Sequence, residues 1–129
     1  MRVWTNGCFD IIHRGHIEML KYARSLGNYL VVGIDSDARV KASKGTSRPI
    51  NSLSNRKFVL EALKSVDKVV VFNSDEELAQ CIQDNDIDIM VVGSDWKGKQ
   101  VIGEQYAKEL KFFGRLGAYS TTNILERAK

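Results

Sequence analysis

With 129 residues, 43% of them apolar and 27% charged, the chain has bulk for a single domain, residues 1–129, and too little for two cores. These proportions exclude disorder as its main content, and apolar runs as short as Val69–Phe72 and Ile87–Val92 fall well below the ~20 residues that a membrane-spanning helix requires. A net charge of +3, carried by lysines and arginines scattered along the chain, favours a small anionic ligand; nucleic acid would ask for a coherent basic face.

The N-terminal residues Met1 to Asn6 contain no apolar stretch followed by small residues, so the expected compartment is the cytoplasm. Cys8 and Cys81 form neither a Cys-x-x-Cys pair nor a disulfide framework, and both are expected to be reduced, buried thiols.

In chain order, Val3–Phe9 reads as a first strand. A helix follows, starting near His16, with Met19, Leu20, Ala23 and Leu26 on one face and Gly27 as its left-handed stop. Tyr29–Ile34 is a second strand, and a second helix opens after Ser54 with Val59, Leu60, Leu63 and Val66. Strand three, Lys68–Phe72, leads to a helix announced by the Ser-x-x-Glu capping pattern of Ser74 and Glu77. Ile87–Val92 is a fourth strand, Leu110–Phe113 a weaker fifth, and a last helix starts at Ser120 with Ile124, Leu125 and Ala128. Strands that are apolar almost throughout, alternating with helices, describe βα units. The expected fold is therefore α/β, a Rossmann-like, doubly wound parallel sheet of about five strands with helices on both faces.

Such sheets bind ligands at the carboxyl ends of their strands. The three most unusual stretches, Gly7–His16, Asp35–Arg56 and Gly93–Lys99, all fall there. The first contains both histidines of the chain, His13 and His16, around Gly15, where the free N–H groups and positive end of a helix attract phosphate. With no third ligand in sight, zinc binding by this pair is the weaker reading.

Asn6-Gly7-Cys8-Phe9-Asp10 followed by His13-Arg14-Gly15-His16 resembles the signature of the cytidylyltransferase-like nucleotidyltransferases, G-x-F-D followed by H-x-G-H. Ser36-Asp37, Lys41, Lys44-Gly45, Arg48-Pro49, Asn55-Arg56, Gly93-Ser94-Asp95-Trp96, Arg115 and Ser120-Thr121-Thr122 continue the likeness in order over essentially the whole chain. The resemblance implies transfer of a nucleoside monophosphate from a triphosphate to a small phosphorylated acceptor, with release of pyrophosphate. It implies catalytic roles for His13, His16, Lys44 and Arg115, nucleotide contacts from Gly7, Cys8, Phe9, Gly15, Gly93, Asp95, Ser120, Thr121 and Thr122, and acceptor contacts from Asp10, Asp37, Arg56 and Trp96. Mg²⁺ is the expected cofactor with no ligand assigned, and a homodimer without nucleic-acid or membrane partners is the expected state.

The Gly93–Lys99 stretch resembles the glycerol-3-phosphate enzymes and favours CMP transfer from CTP to a phosphorylated polyol. Lys44–Asn51 and Val101-Ile102-Gly103 resemble the ADP-heptose synthases, and the alternative is adenylyl transfer from ATP to a sugar 1-phosphate. A nucleotide-binding sensor without turnover is the non-enzymatic alternative.

Overall fold

A computed structural model describes residues 1–114. Its five strands, β1 (Arg2–Gly7), β2 (Tyr29–Asp35), β3 (Lys68–Phe72), β4 (Ile89–Gly93) and β5 (Glu109–Phe113), form one sheet in the order β3-β2-β1-β4-β5, every pair parallel. Alternate residues of each strand feed opposite cores. Val3, Leu30, Val32, Ile89 and Val91 pack with Leu20 and Ala23 of α1 (Arg14–Ser25) and Leu60 of α3 (Leu53–Glu61). Trp4, Val31 and Met90 pack on the other face with Leu78 and Ile82 of α4 (Asp75–Asp84) and with Val101 from the β4–β5 connection. The apolar continuity of the strands thus has its cause in burial on both sides.

The expected doubly wound sheet is the observed one, with differences at its boundaries. β1 stops at Gly7 because Phe9 turns into the left-handed region (φ 51°), which drives its ring into the core, 4% exposed. Gly7 makes room for that turn: a β-carbon there would lie 3.2 Å from the Phe9 ring. Gly27 does not act as a left-handed stop, since α1 ends on Leu26 in the right-handed region. Its need is steric, because a β-carbon would stand 2.3 Å from the carbonyl oxygen of Met1. Ser52, not Ser54, caps α3 through the amide of Asn55.

An unexpected helix, α2 (Asp37–Lys44), interrupts the stretch after β2. It buries only Val40, so no apolar stripe announces it, although Ser36 caps it through the amide of Arg39. Among the described residues, no helix is long and apolar enough to cross a membrane.

The strand order reverses between β1 and β4. The two are paired only at Val3 with Ile89 and Trp4 with Met90, and the same register carried onward sets Gly7 level with Gly93. A cleft opens where strands with outward-running connections part, and the Gly7–His16 and Gly93–Trp96 stretches stand on either side of it.

Candidate active site

His13 is the N-cap of α1. Its Nδ1 accepts from the amide of Gly15 (3.1 Å), and Nδ1 of His16 accepts from the amide of His13 (3.2 Å), a reciprocal capping box built from two imidazoles. The rings stack at 3.8 Å between centroids, and the Phe9 ring backs His16 at 5.1 Å. A nitrogen that accepts carries no proton, so in the neutral rings both protons sit on Nε2. The helix start therefore holds two N–H donors of fixed tautomer, that of His13 buried, with the positive end of α1 behind them. Gly15, expected to bring its backbone to a phosphate, spends its N–H on this cap, and Phe9, expected at the nucleotide, is a core plug supporting His16.

Asp10 is 2% exposed, and its carboxylate is fully engaged away from any acceptor. It accepts from Nε of Arg48 and from the amides of Ile50 and Asn51, each at 2.8 Å, while its carbonyl oxygen takes Nδ2 of Asn51 at 2.5 Å. Burial pushes this carboxyl up, but the two amides and the Arg48 guanidinium together hold it below the usual carboxylate range. Asp10, expected at the acceptor, is thus a latch joining the β1 turn to the chain before α3.

Arg56, also expected at the acceptor, is engaged within the fold as well. Its side chain is fully buried, so the planar fork faces inward: Nη1 donates to the carbonyls of Cys8 (2.9 Å) and Asp35 (2.8 Å), Nε to that of Asn51 (3.1 Å), and Nη2 to Oδ1 of Asp37 (2.7 Å). One guanidinium therefore ties the ends of β1 and β2 to the starts of α2 and α3. Asp37, also expected at the acceptor, is held by Arg56 and by the amide of Leu53; burial raises its carboxyl but these bonds bring it below the ordinary range.

Cys8 is half-buried, not buried as expected. Burial pushes its thiol up, against the pull of Arg56 and Lys44. Lys44 itself is exposed in the last turn of α2. Across the cleft, Oδ1 of Asp95 folds back over Gly93, at 2.6 Å from where a β-carbon would stand, so that a side chain at Gly93 would displace the Asp95 carboxylate. Trp96 is 46% exposed with Nζ of Lys99 6.0 Å from its ring, a free aromatic face at the rim. Arg115, Ser120, Thr121 and Thr122 lie outside the described residues, as does the helix expected from Ser120.

Arg48 and Asn51, which fasten the latch, were not singled out for that part by any motif; the one hint was an acidic residue placed where an anionic ligand would be repelled. A cavity of about 260 Å³ beside α1, lined by Ile17, Leu20, Lys21, Leu63, Lys64 and Ser65, contains none of the motif residues. Among the described residues no group of three His, Cys, Asp or Glu side chains is placed to hold a metal ion, and the oxygens of Asp10 and Asp37 are occupied by internal donors. The described residues do not fit a protein-built Mg²⁺ site.

The sequence matches the cytidylyltransferase-like family over residues 4–127. It is 48% identical to the bifunctional protein HldE of Campylobacter concisus and 47% identical to HldE of Helicobacter pylori, over 98% of this chain and 27% of each relative. The chain thus spans about a quarter of the length of these relatives. Among solved structures, the lipopolysaccharide core biosynthesis protein from Thermoplasma volcanium is similar at 26% identity and a TM-score of 0.75, over 91% of this chain and 98% of that one.

Proposed function

The chain belongs to the cytidylyltransferase-like family of nucleotidyltransferases, and from that premise we propose that it transfers the adenylyl group of ATP to a sugar 1-phosphate of the heptose type. The observation that supports the acceptor and base is the identity to the bifunctional protein HldE across nearly the whole chain, together with the likeness of Lys44–Asn51 and Val101-Ile102-Gly103 to the ADP-heptose synthases. It outweighs the local likeness of Gly93–Lys99 to the glycerol-phosphate enzymes, so CTP and glycerol 3-phosphate give way as the first reading. Whatever else the longer HldE proteins do falls outside this proposal.

An oxygen of the acceptor phosphate attacks the α-phosphorus of ATP in line, the bond to the bridging oxygen of the β-phosphate breaks, and pyrophosphate leaves with that electron pair. A phosphate monoester is already anionic, so no strong base is required of the protein. What the reaction needs is two polyanions held together and charge neutralised on the oxygens that gain it. The Nε2–H groups of His13 and His16, held by their own backbone, suit the α-phosphate and the departing oxygen, and Lys44 suits the remaining phosphates. Arg115 and Ser120-Thr121-Thr122 are proposed for the same tail on the strength of the family motif. No step here is routed through a metal ion.

The test is pyrophosphate release from each of the four nucleoside triphosphates, in the presence of Mg²⁺, against heptose 1-phosphate, glucose 1-phosphate and glycerol 3-phosphate. Release with ATP and heptose 1-phosphate supports the proposal; release confined to CTP and glycerol 3-phosphate replaces it, and nucleotide binding with no release for any pair returns the sensor reading.

A further inference from the structure

Five cations lie between the end of β2 and the first turns of α3, the stretch that the sequence places at the phosphate site: Arg39, Lys41, Lys44, Arg48 and, within α3, Arg56. Three are consumed by the fold. Arg39 is paired with Asp35 and Asp75 and lies over the Phe72 ring, Arg48 is paired with Asp10, and Arg56 is buried against Asp37. Lys41 and Lys44 are exposed and form no ion pair among the described residues.

Asp37, Lys41 and Lys44 stand at i, i+4 and i+7, a single stripe along α2. The direction of that stripe is fixed at one end, because Asp37 grips the Arg56 guanidinium that also holds the carbonyl of Cys8 at the tip of β1. The charges agree: Lys41 acts on the Asp37 carboxyl, and Lys44 acts on the Cys8 thiol. Lys41 and Lys44 therefore lie on the side of α2 that Asp37 turns to the Arg56 guanidinium, while Arg39, on the opposite side of the helix, pairs with Asp35 and Asp75 and lies over the Phe72 ring.

Two phosphate groups must meet at that mouth, and the arginine whose fork suited the second is sealed inside. We infer that Lys41 is the cation that binds the acceptor phosphate, beside Lys44 on the nucleotide. This rests on the nucleotidyl-transfer reading above. It makes α2 a carrier of both substrate charges, and explains why so weakly buried a helix is pinned at its start by a buried arginine. The competing structural role is plain: a lysine in the last turn of a helix favours its negative end.

Lys41→Met and Lys41→Arg separate the two. With ATP and heptose 1-phosphate, Lys41→Met should raise the acceptor KM by on the order of tenfold or more, the effect of one lost charge-assisted hydrogen bond, while the KM for ATP stays within about twofold. Lys41→Arg should restore part of the loss. An unchanged acceptor KM, with or without a lower melting temperature, overturns the inference, and so does an equal rise in both KM values. If the unaltered protein turns over no pair of the panel, the functional reading falls and this inference with it; turnover by the unaltered protein with an indifferent Lys41→Met removes the inference alone.

Discussion

The histidine turn and the connection from β2 to α3 both follow the carboxyl ends of neighbouring strands but are held by opposite means. His13 and His16 are fixed by bonds to amides two and three residues away, so this turn carries its own scaffold. The connection leans on partners far off in sequence: Arg56 reaches Cys8 and Asp35, 48 and 21 residues away, and Asp10 reaches Ile50 and Asn51 across 40 and 41. A locally closed motif tolerates change around it and loses chemistry when cut. A remotely pinned segment loses its fold first.

That contrast breaks most visibly at Arg56. Arg56→Met strips a donor from three part-buried carbonyls and the partner from Asp37, and should cost about 3 kcal/mol of stability in a urea titration; a loss under about 1 kcal/mol would mean the connection does not hang on it. His16→Ala should do the reverse, lowering kcat by ~10²-fold, about 2.7 kcal/mol of transition-state stabilisation, with a modest shift in melting temperature. Normal turnover in that variant would remove the imidazole from the chemistry.

Asp10→Asn sharpens the comparison through pH. The carboxyl is held below its ordinary range in the folded chain, so its contribution is complete at neutral pH and is lost as the pH falls through the depressed folded value. The variant should be about 2 kcal/mol less stable at pH 7 and should lose stability less steeply on acidification than the unaltered protein. Parallel acid limbs would show that Asp10 is no latch. The smallest effect belongs to the self-scaffolded turn: removing the cap with His13→Ala should cost about 1 kcal/mol in thermal unfolding, and a global collapse there would contradict its local nature.

Legibility followed the same division. The strands and the helices with apolar stripes could be read because period and burial agree, and the phosphate-seeking character of His13 and His16 because type and spacing lie within four residues. Helix α2 escaped because Val40 is its only buried residue, so no apolar stripe marks it. The base was not legible in the sequence, because Gly93–Lys99 resembles the glycerol-phosphate enzymes while Lys44–Asn51 resembles the ADP-heptose synthases, and short loop motifs that point two ways do not choose between them.

By itself the sequence determined the alternation of β and α units, the sheet with two covered faces, and the placing of a histidine pair and a run of cations after β1 and β2, all consequences of local periodicity. Only the tertiary structure decided which charged groups are available to a ligand. Asp10, Asp37 and Arg56 read as equally good site residues in one dimension; folding buried two of them and tied all three to each other's neighbours, because a charge taken out of water must be met by partners that the chain can bring together only in space.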